Sequence, residues 1–111
     1  MVNEWIYFGI EDSFGKIVSV FSEDYDIEAW TDMGIIEVAV GKSSIDFEMI
    51  EEKRWDDFSK EHAAEFGYNK MYIVTVSKDA EVWAEEFMKA VCQRVGGRFC
   101  ADSENLEPHI E

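Results

Sequence analysis

The sequence predicts an α+β fold, with a mostly antiparallel sheet of five to six strands and two helices packed on one face. Strand-like segments occupy the first half of the chain, and helical periodicity appears in the second half, where helices alternate with strands. This order is typical of domains whose helices cover an antiparallel sheet. The 111 residues, 47% hydrophobic, are enough for one core. We assign residues 1–103 to a single globular domain and expect residues 104–111 to form a frayed polar tail.

Four segments of the first half are predicted as strands. Residues 5–10, WIYFGI, would place apolar residues on both faces of a strand, as in a strand buried on both sides. Residues 16–21, KIVSVF, follow a turn at 12–15 and are predicted to form the hairpin partner of the first strand. Residues 34–41 are bounded by glycines, and residues 44–50 alternate apolar and acidic side chains, as in a half-exposed strand. For the last segment a helix start is the alternative.

Helices are predicted at residues 53–66 and from Asp79 to about Val95, with strands at 71–76 and 98–101. Gly67 is expected to end the first helix and Asp79 to cap the second. The first helix is expected to bury one stripe with spacings of three, four and four residues, which consists of Trp55, Phe58, His62 and Phe66.

The formal net charge is −15, and it is unevenly distributed. Residues 1–52 contain thirteen acids and only two bases, Lys16 and Lys42, whereas residues 53–111 contain twelve acids and eight bases. Solvated surfaces usually mix charge signs, because unbalanced like charge lowers folding stability. A basic protein partner is the natural complement, and binding to nucleic acid or to an anionic membrane is not expected. The alternative is a protein that is acidic throughout without a functional reason.

The most concentrated acidic stretch is SEDYDIEAWTD, residues 22–32, predicted as a loop with a short strand or one helical turn. It holds five carboxylates and no Lys or Arg, together with two aromatic residues. Tyr and Trp are favoured interface anchors. Tyr25 is expected to be the more exposed of the two, and a core position is favoured for Trp30. The candidate partner-binding residues are Glu23, Asp24, Tyr25, Asp26, Glu28, Trp30 and Asp32; a plain acidic loop is the alternative.

No motif for catalysis, metal binding or cofactor binding is found. The series Asp24-x-Asp26-x-Glu28 resembles the start of a calcium loop, but Ala29 replaces the required glycine and Ile35 the bidentate glutamate. The histidines and cysteines lack zinc-site spacing, and neither a phosphate-binding glycine loop nor a nucleophile elbow is present. His62 is expected to be a side chain at the core boundary. We therefore predict a protein that is not an enzyme and has no catalytic residues, metal or cofactor.

The chain has no segment with the pattern of a signal peptide and no apolar run long enough to span a membrane. Its two cysteines are too few for a disulfide framework. We expect a cytoplasmic protein with reduced thiols; a single disulfide is the alternative.

In size, charge, expected location and its aromatic-containing acidic stretch, the chain resembles the small acidic immunity proteins that bacteria make against their own secreted or contact-delivered toxins. The resemblance is compositional and includes no aligned motif. It implies a complex with a basic toxin, often a nuclease, in which carboxylates meet the toxin's cationic surface. Three alternatives remain: a nucleic-acid mimic that inhibits a DNA-binding protein, a small-ligand or enzymatic domain with scattered site residues, and an accessory subunit. The oligomeric state is left open.

Overall fold

The computed structural model describes residues 3–103 and 105–111. Within these residues it contains seven strands and three α-helices. In chain order they are β1 (Glu4–Gly9), α1 (Ser13–Phe21), β2 (Asp26–Trp30), β3 (Ile35–Val40), β4 (Ser43–Met49), α2 (Asp57–Phe66), β5 (Lys70–Val76), α3 (Glu81–Arg94), β6 (Arg98–Ala101) and β7 (His109–Ile110). The strands form one antiparallel sheet in the order β2-β3-β4-β5-β1-β6-β7. The α+β class is confirmed, while the numbers of strands and helices exceed the predicted ones.

The main core lies between one face of the sheet and the helices α1 and α3. Side chains of successive strand residues alternate between faces, and on this face Tyr7, Phe47 and Phe99 are fully buried. Ile17 of α1 and Phe87 of α3 complete the same cluster. Burying each such side chain stabilises the fold by about 1.5–3 kcal/mol, so this side of the sheet holds the fold together.

A smaller core lies on the opposite face and covers only part of it. Ile6, Phe8 and Cys100 pack there against Ala63 of α2 and against Leu106. These residues belong to β1, β6 and the segments beside them. The predicted helices at 53–66 and 79–95 were expected on one face, but α2 and α3 lie on opposite faces. In the described part of the chain, the strands β2, β3 and β4 therefore have helices on one side only.

The segment predicted as a hairpin strand at residues 16–21 is wrong, because it belongs to helix α1. Phe14, Ile17, Val18 and Phe21 follow helical spacing, and Ile17 and Phe21 are buried against the sheet. The residues KIVSVF satisfy both a two-residue and a helical period over their short length. Packing on the sheet decides between the two, since the helix buries both large side chains on the same side.

The predicted stripe of the first helix is wrong in detail. Helix α2 begins at Asp57, and Asp56 caps it by accepting a hydrogen bond from the Ser59 backbone N–H at 2.7 Å. Trp55 precedes the helix in extended conformation and does not share its periodicity. The buried side chains are those of Ser59 and Ala63. Phe58 and Phe66, expected in the core, are 51% and 41% exposed.

The end of α2 agrees with expectation, whereas the start of α3 and the C-terminal end of the chain differ from it. Gly67 ends α2 in the left-handed conformation, with φ of 78°, as predicted. Asp79 does not cap α3, which starts at Glu81 after a 3₁₀ turn and has no side-chain cap. The chain after Ser103, expected to fray, packs onto the sheet where it is described: Leu106 is buried and β7 pairs with β6. Glu104, part of that expected tail, lies outside the described residues, as do Met1 and Val2 of the predicted domain.

Candidate functional site

The face of β2, β3 and β4 that carries no helix is rich in carboxylates. On the helical side of these strands Ile36, Val38 and Phe47 are fully buried, whereas every residue on the other side is exposed or half-buried. We call this uncovered side, together with the adjoining residues of β5, the acidic face. It is formed by Asp26, Glu28, Trp30, Ile35, Glu37, Ala39, Ser44, Asp46, Glu48, Ile73 and Thr75.

A row of three carboxylates crosses the middle of the acidic face. The strand register places Glu28 opposite Glu37, and Glu37 opposite Asp46. Neighbouring strands lie about 4.8 Å apart, so the three side chains stand beside one another. Directly opposed like charges destabilise a sheet, and within the described part of the chain none of the three forms a salt bridge. The row therefore lowers the stability of the isolated protein, and a bound cation would relieve that repulsion.

Asp46 is a half-buried member of this row. It is flanked by Glu37 and by Thr75 of β5. Its Oδ1 is buried and has no hydrogen-bond partner among the described residues. Burial raises the pKa of Asp46 above its ordinary value, because the carboxylate has lost water without gaining a donor. A positively charged side chain of a binding partner would supply the hydrogen bond and the opposite charge that Asp46 lacks.

Apolar side chains lie directly beside the row. A depression of about 450 Å³ is lined by Trp30, Met33, Ile35 and Ile73 together with carboxylates of the acidic face. The Trp30 side chain is 42% exposed. Lys and Arg have aliphatic stems that pack on apolar surface while their charged ends seek carboxylates, and an Arg or Lys over an indole is further stabilised by cation–π attraction. The depression can therefore accept a Lys or Arg side chain, with its stem on the apolar residues and its charged end near the carboxylates.

The predicted partner-binding residues are divided between two regions. Asp26, Glu28 and Trp30 lie on β2 and point to the acidic face, and Asp32 follows in an exposed 3₁₀ turn. Glu23 and Asp24 lie instead in the turn after α1, where Asp24 is 3.8 Å from Arg94. The predicted stretch is thus not one contiguous surface.

The two aromatic residues of the stretch have the opposite exposure to the one expected. Tyr25 is half-buried in the main core, with its ring 5.5 Å from that of Trp83 and 5.1 Å from that of Phe87. Trp30, for which a core position was favoured, is exposed. The reason is alternation: Tyr25 has the parity of Ile27, which faces the helices, whereas Trp30 has the parity of Glu28.

Three carboxylates of the acidic face, Glu37, Asp46 and Glu48, are absent from the predicted set. Each alternates with buried apolar residues of its own strand, so the sequence shows that it points away from the core. That signal does not show which other carboxylates lie beside it. The pairing of β2 with β3 and of β3 with β4 supplies that information.

A second group of reactive residue types lies under α2, where the Cys100 sulfur is 3.5 Å from Nε2 of His62. Burial raises the pKa of the Cys100 thiol and lowers the pKa of His62. Both changes favour the neutral pair, so the sulfur is not held as a thiolate nucleophile. His62 also packs 4.9 Å from the Phe8 ring, in agreement with the predicted core-boundary position.

Across residues 3–103 and 105–111, no three His, Cys, Asp or Glu residues are grouped to hold a metal ion.

Comparison with protein-family models, with curated proteins and with solved structures finds no match for this chain. Among the described helices, none has the length and apolar character needed to cross a membrane.

Proposed function

We propose that the protein is an immunity protein that binds and neutralises a basic toxin domain through its acidic face. One observation carries the proposal: among the described residues no helix covers the acidic face, which presents the row Glu28, Glu37 and Asp46 without a salt bridge to Lys or Arg. A fold can cover such a face with a helix, as it does on the other side of the same strands. A basic protein surface would replace that cover and neutralise the row.

The binding mechanism follows from the layout of the face. Carboxylates would meet the Lys and Arg side chains with which the toxin binds its own anionic substrate. Trp30, the last residue of the edge strand β2, would bury against the toxin, where a large side chain with few rotatable bonds contributes strongly to affinity. The net charge of −15 would speed encounter with a cationic partner, and added salt would slow it because the Debye length shortens. The protein needs no chemistry of its own in this role.

Inhibition by mimicry of nucleic acid is less well supported by the geometry. Duplex DNA presents one charge per roughly 1.7 Å over a long axis, whereas the carboxylate row crosses three strands and spans about 10 Å. The apolar depression beside the row also suits protein side chains better than a site that imitates phosphates. These two features favour a protein partner that docks on one compact patch.

The test uses the basic C-terminal domain of the large secreted protein that we expect the upstream gene to encode. That domain is produced in a bacterial host with and without this protein, and growth is measured. The face variant carries Glu37→Lys and Glu48→Lys. The matched control carries Glu52→Lys and Glu61→Lys, which change the same charge at exposed positions outside the acidic face. Circular dichroism checks that both variants fold.

Wild type and the control variant are expected to restore growth, and the face variant is expected to fail. With purified proteins, the association rate should drop by tenfold or more between about 0.05 M and 0.5 M salt. Rescue by the face variant would show that binding occurs elsewhere on the surface. Lack of rescue by the wild-type protein would refute the immunity function for that pair.

A further inference from the structure

A groove of about 490 Å³ lies on the helical side of the sheet, opposite the acidic face. Phe14, Gly15 and Val18 of α1 form one wall, and Met49 and Tyr72 of β4 and β5 form the floor. Helix α1 covers the sheet beside the groove but leaves this corner open. The volume falls within the range of small-molecule sites, which are mostly apolar with a few convergent polar groups.

The apolar walls are held by packing that does not depend on a ligand. The Phe14 ring stacks on Tyr72, with centroids 6.5 Å apart and planes at 29°. Met49 lies against Gly34, where a Cβ would come within 2.7 Å of the Met49 Cβ. Gly34 also has a positive φ of 67°, which suits glycine. The floor of the groove is therefore set by the backbone turn that ends at Gly34.

Gly15 lines the groove, and its missing side chain leaves space there. Glycine is a poor helix former, and a Cβ added at Gly15 would meet no atom within 4 Å. Packing and backbone conformation thus give no reason for a glycine here, in contrast to Gly34. A larger side chain at position 15 would fill the groove while favouring the helix.

Two side chains that can donate hydrogen bonds, those of Lys70 and Tyr72, line the groove. Tyr72 lines the groove and is only 2% exposed, and its hydroxyl oxygen is not among the described side-chain atoms that are fully buried without a hydrogen-bond partner. Burial raises the pKa of Tyr72, so the hydroxyl keeps its proton and remains a donor. Lys70, two residues earlier on the same side of β5, also lines the groove and forms no salt bridge in the part of the chain described. Glu11, an exposed carboxylate, also lines the groove.

We propose that this groove binds a small amphipathic carboxylate, such as a medium-chain acid. The carboxylate accepts hydrogen bonds from the Lys70 ammonium and the Tyr72 hydroxyl, and the apolar body lies between Phe14, Val18 and Met49. A charge-assisted pair of donors selects an anion over an alcohol of equal length. The proposal is independent of the immunity function, since the groove and the acidic face lie on opposite sides of the sheet.

Octanoate is the probe, with octanol and octylammonium as matched ligands of equal chain length. Binding to the full chain is followed by amide chemical shifts in two-dimensional NMR during titration. Gly15→Leu fills the groove, and Lys70→Gln removes the charge. Lys78→Gln is the control, because Lys78 is an exposed lysine that does not line the groove.

Octanoate is expected to give saturable shifts in α1 and β5, and octanol to bind roughly tenfold more weakly or worse. Gly15→Leu should abolish these shifts while the protein melts at the same or a higher temperature. Lys70→Gln should weaken octanoate binding roughly tenfold and leave octanol unchanged, whereas Lys78→Gln should change neither. Absence of saturable shifts, full binding by Gly15→Leu, or equal affinity for octylammonium would each overturn the proposal.

Discussion

Replacing Glu37 by glutamine is expected to stabilise the free protein. Glu37 is the central member of the carboxylate row, with Glu28 opposite it on one side and Asp46 on the other. Glutamine keeps the size and shape of the side chain and removes its charge. Most substitutions in a folded domain lower stability, so a gain at this position would be a specific signature of the row.

The size of the gain follows from Coulomb's law and the strand spacing. Two carboxylates about 6 Å apart repel by about 0.7 kcal/mol in water, and a Debye length of about 8 Å halves that value at physiological salt. Glu37 has two such neighbours, and Asp46 is half-buried, which strengthens its share. We expect the free energy of unfolding to rise by about 0.5–1.5 kcal/mol, within the range measured for cross-strand pairs.

Urea unfolding at neutral pH, in low salt and in 1 M NaCl, measures the effect. The control is Glu52→Gln, an exposed carboxylate in a 3₁₀ turn that also contains Lys53 and Arg54. Glu37→Gln should raise the midpoint in low salt, and most of the gain should vanish at 1 M, where the Debye length is about 3 Å. Equal midpoints for Glu37→Gln and wild type in low salt would refute the reasoning, and so would a gain that salt does not reduce.

Three further predictions concern Asp46, Trp30 and Glu111. Burial raises the folded-state pKa of Asp46 above the ordinary value of 3.8. The folded protein therefore keeps this proton to higher pH than the unfolded chain does. As a result, the unfolding free energy falls as pH rises from 3.8 through the folded-state pKa. Asp46→Asn should therefore stabilise the protein at neutral pH, and this gain should shrink as pH falls towards the ordinary value of 3.8. Urea unfolding of both proteins from neutral pH down to pH 3.8 measures the gain, and a difference in unfolding free energy that does not change with pH would contradict the reasoning. Trp30→Ala removes an exposed side chain and should change the unfolding free energy by less than about 1 kcal/mol. It should weaken toxin binding by tenfold or more. Calorimetry of unfolding and of binding on this one variant separates a structural role of Trp30 from a role in binding. Glu111→Gln should destabilise the protein by about 1–2 kcal/mol. Arg98 is only 6% exposed, its Nε has no partner among the described residues, and Glu111 is its ion-pair partner. An unchanged thermal midpoint would show that the Glu111 carboxylate, which follows β7, does not stabilise the buried charge.

The strand segments were predictable because their signal is local. In β3 and β4 apolar and acidic residues alternate, and the structure buries Ile36, Val38 and Ile45 while it leaves Glu37 and Asp46 half-buried on the opposite side. This alternation depends only on the pleat of a single strand. The class α+β followed from the order of such segments along the chain.

Helix α1 shows where local signals fail. Residues 16–21 satisfy a strand pattern and a helix pattern equally well over six positions, and β-branched residues favour the strand. The structure forms a helix because Ile17 and Phe21 then fill the core beside Phe87. The same contact explains Tyr25, which completes that aromatic cluster and is not available as an exposed anchor.

The sequence by itself determined that the chain is acidic, where most of its strands lie, and which side of the strand each residue of β3 and β4 takes. Only the tertiary structure decided that α1 and α3 share one face, that α2 covers a different part of the other, and that Glu28, Glu37 and Asp46 stand in one row. The physical reason is the range of the interactions: alternation and capping act between neighbours in the chain. Strand register and helix placement depend instead on contacts between segments far apart in sequence, and these contacts leave one acidic face of the sheet open.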